Sequence, residues 1–324
     1  RRGDLFTGAN PSPRMVHLSD AGSEKVSDEE LLRIIRQKAE EGTAVLLLMY
    51  KLTPRQLEMA VKEAKSLGMA TIGELGYSSY SDGIDAGLDA FVHSTRYSLD
   101  IAPQELREAV AEDPFSDDPG SPKWQYYRYL AEVSQQDENF LQHASRLGDS
   151  YTYLMPTLSL LYLDIPGHIN PWADPVASIL DPADINNPAN KSTGNHDYDV
   201  ATQEAYTELG TNVLLNESTY FGSGAKYLAG SATDVWGTMP GISLHTELRL
   251  LASIGLSNRQ AIAAATTNFC SAFGWKQKGN VEPGFFADIV ILNSNPVDDL
   301  GNLNDIHLIM LNGDIVDREN LLKE

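Results

Sequence analysis

The sequence predicts an α/β protein in which helices cover a parallel sheet. Thr43–Tyr50 is a continuous apolar run of strand length, and two shorter apolar runs follow at Met69–Leu75 and Leu88–His93. Segments with the caps and the amphipathic pattern of helices separate these runs. Apolar strands that alternate with capped helices are typical of a parallel sheet buried on both faces.

The helices of this first half begin and end at recognisable residues. Ser27 and Glu30 form the pattern of a capping box before the first apolar run. Thr53-Pro-Arg-Gln56 repeats the pattern after that run and places a proline at the first helical position, where proline is favoured. Gly68 is predicted to end this helix, and Gly87 a short helical stretch before the third run.

Two long connections interrupt the alternation of strands and helices. Residues 112–123 form an acidic, proline-rich segment, and residues 164–200 are rich in Pro, Asn and Asp. Loops of this length in a compact domain are either functional lids and pocket walls or plain surface insertions. The sequence leaves both alternatives open.

The C-terminal third has a different pattern. Two helices are predicted at Leu244–Ile254 and Ser257–Phe269, and apolar strands follow around Ile289 and at Ile306–Leu311. Asn312-Gly313 after the last apolar run is a strong signal for a two-residue hairpin turn. These strands are therefore expected to be antiparallel and to form a small separate β module.

Composition excludes several classes of partner. The chain has 324 residues and a formal net charge of −21, which opposes binding to nucleic acid or to an anionic membrane surface. No apolar stretch reaches the roughly 18–20 residues that cross a bilayer. Cys270 is the only cysteine, so neither an internal disulfide nor a cysteine-based zinc site is expected. The expectation is a soluble protein; its compartment is left open, with the periplasm or the extracellular space favoured.

The order of several short motifs carries a family resemblance. The C-terminal third contains Pro240-Gly-Ile-Ser-Leu-His-Thr-Glu-Leu248, Ala261-Ile-Ala-Ala-Ala-Thr-Thr-Asn268, Gly279-Asn-Val-Glu-Pro-Gly-Phe-Phe-Ala-Asp-Ile-Val-Ile-Leu292 and Leu311-Asn-Gly-Asp-Ile-Val316. In this order and spacing they resemble the end of the amidohydrolase superfamily, particularly its imidazolonepropionase-like and prolidase-like members. Upstream, Leu52-Thr-Pro54, Asp85–His93 and Leu154-Met-Pro-Thr157 look like elements four, six and seven of that family's barrel.

The resemblance implies a TIM-like (β/α)8 barrel with a small β-sandwich. Strands three to eight of the barrel are expected in this chain, and strand three is placed at Asp4–Gly8. The barrel is assigned to residues 1–278, incomplete at its N-terminus, and the C-terminal strands of the sandwich to residues 279–324. Six strands cannot close an eight-stranded barrel, so a missing N-terminal segment or a companion chain is expected to complete it.

The family places its metal site at the carboxyl ends of the strands. The resemblance implies a His-x-His pair on strand one, a modified lysine on strand four, histidines on strands five and six, and an aspartate on strand eight. Such ligands suit zinc, which makes a bound water nucleophilic near neutral pH. This chain departs from the pattern, because Leu47 or Leu48 stands at the lysine position and Gly73-Glu74-Leu75 at the strand-five histidines.

Three residues are the candidate metal ligands. His93 matches the strand-six histidine; the alternative is an ordinary histidine at a strand end. Asp234 matches the strand-eight aspartate, the expected proton shuttle, whereas a competing alignment places Ala232 there. Glu74 is a carboxylate at a strand end and either substitutes for a missing ligand or is a solvated turn residue. Asp234 is also the one predicted catalytic residue.

Substrate contacts are predicted at Trp236, Tyr50 and His245, although each also has a structural alternative as a packing residue. Two main hypotheses of function follow, beside a third in which the chain is a purely structural subunit that completes a barrel with another chain. The first is a metal-dependent hydrolase of amide or other C–N bonds in a small or dipeptide-like substrate. The second is an inactive protein of the same fold that binds a ligand or partner without a metal. A homo-oligomer is compatible with both.

Overall fold

A computed structural model of the chain describes residues 25–116, 118–161, 165, 170–179, 199–232, 238–239, 241–318 and 320, together with the backbone of strand 14–17. Six strands form one parallel sheet in the order of the sequence. They are β1 (Arg14–His17), β2 (Thr43–Tyr50), β3 (Ala70–Leu75), β4 (Ala90–Val92), β5 (Tyr153–Met155) and β6 (Lys226–Tyr227).

Helices connect these strands and continue after the sheet. They are α1 (Asp28–Glu40), α2 (Pro54–Ser66), α3 (Tyr80–Ala86), α4 (Ser94–Tyr97), α5 (Gln104–Glu112), α6 (Pro122–Glu132), α7 (Glu138–Asp149), α8 (Val200–Gly222), α9 (Ile242–Ser253), α10 (Asn258–Ala264) and α11 (Thr267–Phe273). Short 3-10 turns lie at Ser98–Ile101, Leu158–Leu160, Pro171–Ala173, Pro175–Ile179 and Leu300–Asn304. The predicted α/β class is confirmed.

Most of the predicted helix starts are confirmed. Thr53 and Gln56 form a complete capping box at α2, with proline at the first position. Ser27 caps α1, but the side chain of Glu30 does not close a box there. Its carboxylate is instead bonded to Arg33, because a guanidinium one turn along the helix offers it two charge-assisted hydrogen bonds.

The predicted helix Ser257–Phe269 is divided in two. α10 ends at Ala264 and α11 begins at Thr267, with Thr266 in a non-helical conformation at φ −134° and ψ −94°. The carbonyl of Ala264 accepts a hydrogen bond from the backbone N–H of Ala229. This long-range bond from the chain after β6 satisfies a helix-end carbonyl, and the sequence contains no glycine or proline that marks the break.

The sheet buries both of its faces, as the apolar runs predict. On one face Leu46, Leu48 and Phe91 pack against the helices. On the other face Val45, Leu47 and Ile72 pack with Val92 and with the aromatic side chains near α11. Those aromatic residues are Phe269, Phe273 and Trp275. The predicted strand Asp4–Gly8 lies outside the described residues, and β1 was not anticipated from the sequence.

A second, antiparallel sheet follows the helices. Its strands are β7 (Ile289–Leu292), β8 (Ile306–Leu311) and β9 (Asp314–Ile315), in that order. Asn312 and Gly313 both have positive φ, at 51° and 89°, as a two-residue hairpin turn of the predicted type requires. In the part of the chain that the structure describes, no helix has the length and apolar character needed to span a bilayer.

A close backbone approach between α7 and the turn after α8 gives a first prediction. A Cβ added at Gly148 would overlap the carbonyl group of Ser223, which is backbone and cannot rotate away. We expect Gly148→Ala to lower the free energy of unfolding by about 1–3 kcal/mol. Gly222→Ala is the matched control, since its Cβ meets nothing within 4 Å. That change should raise stability by about 0.5–1 kcal/mol in the same urea titration. Equal midpoints for the two variants would contradict the packing argument.

Candidate active site

The predicted site residues that the structure describes include a group at one edge of the parallel sheet. Tyr50 is the last residue of β2, Glu74 lies near the end of β3, and His93 directly follows β4. Thr157 lies two residues after β5. Because neighbouring parallel strands end at the same edge, these four residues come together at the carboxyl side of the sheet.

Glu74 is a buried carboxylate with polar contacts to three of the described residues. Its side chain is 6% exposed, which excludes the interpretation as a solvated turn residue. Oε1 accepts a hydrogen bond of 2.5 Å from the Tyr50 hydroxyl and lies 3.2 Å from Nε of Arg96. Oε2 lies 3.8 Å from Nε2 of His93. One oxygen of Glu74 is therefore occupied by hydrogen-bond donors, and the other faces the imidazole.

Arg96, on α4, compensates the charge of this carboxylate. Its side chain is 8% exposed and its Nη2 donates to the carbonyl of Pro114 at 2.9 Å. The guanidinium also lies 5.3 Å from the ring centre of Tyr50 and 5.9 Å from that of Phe115. Pro114 and Phe115 belong to the acidic loop at 112–123, so the first residues of that loop form a wall of the site.

Burial and charge hold the Tyr50 phenol in its neutral form. Burial, followed by the negative charge of Glu74, raises the pKa of Tyr50 well above its ordinary value. Its side chain is 2% exposed and its hydroxyl is bonded to Glu74. The structure thus gives Tyr50 a supporting contact within the site, and its predicted substrate contact stays a prediction.

His93 lies in an unusual backbone conformation next to Thr157. Its φ is 64° and its ψ is 112°, and its side chain is 24% exposed, the most open of the group. Nδ1 lies 2.7 Å from the Thr157 hydroxyl oxygen. The imidazole is therefore held between a hydroxyl on one side and the Glu74 carboxylate on the other.

Two further predicted residues lie outside the described residues. Asp234 and Trp236 fall in the segment 233–237, so the roles of proton shuttle and pocket wall stay predictions. Ala232, the alternative to Asp234, is described and has a positive φ of 44°. The choice between the two alignments stays open.

His245 lies on α9 and is half-buried. Burial, and then the charge of Arg249, lowers the pKa of His245, while Asp174 acts in the opposite direction. Among the described residues its Nδ1 has no hydrogen-bond partner. A neutral imidazole in this position is compatible with either packing or substrate contact.

Two buried glutamates near the site were not anticipated. Glu217 on α8 accepts hydrogen bonds from the hydroxyls of Ser94, Tyr97 and Tyr227, the last two at 2.7 and 2.8 Å. Glu247 on α9 accepts a 2.7 Å bond from the backbone N–H of Ser159. Burial raises the pKa of Glu217 to about 7 and that of Glu247 to about 8. Ser94 follows His93 directly, so Glu217 fixes the turn that carries the imidazole.

A cavity of about 460 Å³ lies at the opposite edge of the sheet, where the strands begin. Lys65, Asp89 and Lys226 are among its lining residues. Lys65 binds the carbonyl of Gly87 and the carboxylate of Asp89, and Lys226 binds the carbonyl of Ser150. Its two lysines are thus already bonded within the protein.

Comparison with known proteins supports the family resemblance for the C-terminal part of the chain. Residues 200–316 match the sequence model of the amidohydrolase family. This segment contains the C-terminal motifs, including the stretch before His245 and the strands of the small sheet. Over this part the chain is similar to the amidohydrolase family. No curated protein sequence matches it significantly.

Solved structures share the fold of this chain. A Xaa-Pro dipeptidase with bound methionine is 14% identical, with a TM-score of 0.57 over 90% of this chain and 59% of its own. Bottromycin amidohydrolase is 16% identical, with a TM-score of 0.60 over 95% and 64%. Phenylurea hydrolase B is 17% identical, with a TM-score of 0.56 over 92% and 59%. The chain thus spans less than two thirds of each, and at these identities the likeness concerns the fold.

The amidohydrolase family generally depends on divalent metals. In this chain, His93 and Glu74 are spaced much as two ligands of one metal ion are. Two ligands of one zinc ion in tetrahedral geometry lie about 3.4 Å apart. The separation of 3.8 Å between His93 Nε2 and Glu74 Oε2 is close to this value. Within the described ranges, no group of three or more His, Cys, Asp or Glu side chains is placed to hold a metal ion.

The structure brings together two predicted ligands and adds residues that sequence analysis missed. Arg96 contacts Glu74 and Thr157 contacts His93, while Phe115 packs against Tyr50 and Arg96. Arg96 follows His93 by three residues, but nothing in the sequence links it to a glutamate 22 positions earlier. Thr157 was part of a barrel motif, and its position after β5 was the one available signal.

Proposed function

We propose that this chain takes part in the hydrolysis of a C–N bond in a small or dipeptide-like substrate, with help from a divalent metal such as zinc. The observation that carries the proposal is the meeting of His93 Nε2 and Glu74 Oε2, 3.8 Å apart, at the carboxyl edge of the sheet. The similarity of residues 200–316 to the amidohydrolase family supports the reaction class.

In this proposal His93 and Glu74 hold the metal and Asp234 supplies a further ligand. The metal, when bound, supplies Lewis acidity that makes water nucleophilic near neutral pH. Asp234 accepts the proton of the attacking water and returns it to the leaving nitrogen. Trp236 and His245 contact the substrate, and Tyr50 holds the Glu74 carboxylate in place.

We further propose the architecture in which this site works. The six parallel strands belong to a (β/α)8 barrel that is closed by strands from an N-terminal segment or a companion chain. Residues 1–278 form the barrel part and residues 279–324 the C-terminal strands of a β-sandwich. A periplasmic or secreted location, and assembly into a homo-oligomer, complete the proposal.

The test combines metal content with activity on the full-length protein. We expect the purified protein, with its barrel closed as proposed, to retain about one equivalent of Zn2+ by elemental analysis after incubation and dialysis. It should also hydrolyse some member of a panel of dipeptides and N-acyl amino acids. His93→Ala and Glu74→Gln should lose both metal and activity. Asp234→Asn should lower kcat by about 10²–10⁴-fold, the usual contribution of a general acid or base.

His307→Ala is the matched control, because His307 lies on β8 of the small sheet and is exposed. It should keep wild-type metal content and turnover. Metal retention that is unchanged in His93→Ala and Glu74→Gln would reject the proposed ligands, whatever the activity.

A second function, ligand binding without a metal, is favoured by one observation. Arg96 and Tyr50 already occupy Oε1 of Glu74, so the carboxylate is partly neutralised by a buried cation. Thermal stabilisation by a member of the same substrate panel in the presence of a chelator, without turnover, would support this alternative.

A further inference from the structure

Two residues with unusual backbone conformations meet at neighbouring strand ends. Of the described residues other than glycine, five have positive φ, and His93 and Thr157 are two of them, at 64° and 52°. Threonine is β-branched, so this region is costly for it. Such strained positions persist where the surrounding structure holds them, and they are concentrated at functional sites.

Backbone hydrogen bonds fix the two strand ends relative to each other. The N–H of His93 donates to the carbonyl of Met155, and the N–H of Ser94 donates to the carbonyl of Pro156, both at 3.0 Å. These bonds extend the pairing of β4 with β5 beyond the last strand residues. The approach of the imidazole to the Thr157 hydroxyl is therefore set by the main chain.

The hydrogen-bond partners of Thr157 determine which nitrogen of His93 carries the proton. The Thr157 hydroxyl lies 2.7 Å from the carbonyl oxygen of Pro156, which can only accept, so the hydroxyl proton is donated there. The same oxygen lies 2.7 Å from Nδ1 of His93 and must accept in that contact. A hydroxyl has one proton, so Nδ1 carries the proton of the neutral imidazole.

We propose that Thr157 is a positioning residue that fixes the neutral His93 side chain as the Nδ1–H tautomer. Nε2 then carries no proton, and Oε2 of Glu74, 3.8 Å away, lies beyond hydrogen-bond distance from it. Only this tautomer allows Nε2 to bind a metal or to accept a proton. The consequence for catalysis rests on the proposed function, whereas the position of the proton rests on the contacts of Thr157 alone.

The test reads the tautomer directly. In 1H–15N correlation spectra of the 15N-labelled protein, without metal and at a pH where His93 is neutral, wild-type His93 should show the Nδ1–H pattern. His93→Gln identifies the signal. Thr157→Ser keeps the hydroxyl and should keep the pattern, whereas Thr157→Val removes it and should convert His93 to Nε2–H or a mixture. If the wild-type protein binds Zn2+ alone, Thr157→Val should weaken its affinity for Zn2+ by about 10–100-fold.

Thr152→Val is the matched control. Thr152 is buried to the same extent, 3% exposed, and its hydroxyl donates to the carbonyl of Leu88 at 2.9 Å. It precedes β5, whereas Thr157 follows it, so Thr152→Val loses a similar bond at the other edge of the sheet. The His93 pattern should not change in this variant.

Each result decides one of two questions. A wild-type His93 with its proton on Nε2 overturns the inference even if Thr157→Val fails to fold, and so does a folded Thr157→Val chain that keeps the Nδ1–H pattern. A confirmed tautomer in a protein that binds no metal upholds the inference and rejects the metal-dependent function.

Discussion

Replacing Arg96 with methionine is expected to lower the free energy of unfolding by about 3–5 kcal/mol. The side chains of Arg96 and Glu74 are 8% and 6% exposed, and their closest N–O distance is 3.2 Å. Methionine fills much of the same volume but leaves the Glu74 carboxylate buried without its cation. Burial lowers the pKa of Arg96, but Tyr50 and then Glu74 more than offset this, so the guanidinium stays charged. Urea unfolding at neutral pH measures the loss.

Two comparisons separate the buried charge from a general loss of packing. Arg96→Met combined with Glu74→Gln should recover part of the loss, because the unpaired charge is then removed. Lys51→Met breaks the more exposed pair of Lys51 with Glu112, at 3.1 Å, and should cost no more than about 1 kcal/mol. If Arg96→Met loses no more stability than Lys51→Met, the buried ion pair does not stabilise the site.

The second large effect is expected from pH. Burial raises the pKa of Glu247 to about 8 from an ordinary value of 4.5, so the folded state binds this proton more tightly than the unfolded state. The stabilisation that comes from the proton on Glu247 is fully present below pH 4.5 and is lost as the pH rises to about 8. Glu217 acts in the same direction up to a pH of about 7.

Glu247→Gln isolates this contribution, because glutamine resembles the protonated acid and still accepts from the N–H of Ser159. The free energy of unfolding of the variant minus that of the wild type should increase by about 1.4 kcal/mol per pH unit within this window. Urea titrations at several pH values measure the difference. Glu204→Gln, on the exposed surface of α8, controls for the loss of one negative charge. A difference that stays constant from pH 4.5 to 8 would show that Glu247 is ionised throughout.

Much of the fold was predictable because the signals are local. The capping box at Thr53, the glycine that ends α3 and the Asn312-Gly313 turn depend on residues within a few positions of each other. The break between α10 and α11 was not predictable, since its cause is a hydrogen bond from Ala229, 35 positions before Ala264. The short strand β1 carries too few residues for a periodic signal.

The site was predictable only at its centre. Positions at strand ends indicated His93 and Glu74, because parallel strands bring such residues to one edge. Their surroundings depend on contacts between distant segments. Arg96 contacts Glu74 from α4, which follows β4. Phe115 belongs to the loop at 112–123, which the sequence left open as either a lid or a surface insertion. Whether Glu74 is solvated or buried depended on that helix and loop, which no local pattern specifies.

The three hydroxyls bonded to Glu217 have a consequence for the order of folding. Ser94 and Tyr97 lie 123 and 120 positions before their acceptor, and their bonds form only once α8 has packed against α4. Closing a chain segment of that length carries an entropic cost that nearby contacts do not. The turn at His93 should therefore acquire its native shape late, after the early strands have paired. A nascent chain that ends before α8 would contain His93 but would lack the hydrogen bonds to Glu217 that fix the turn around it.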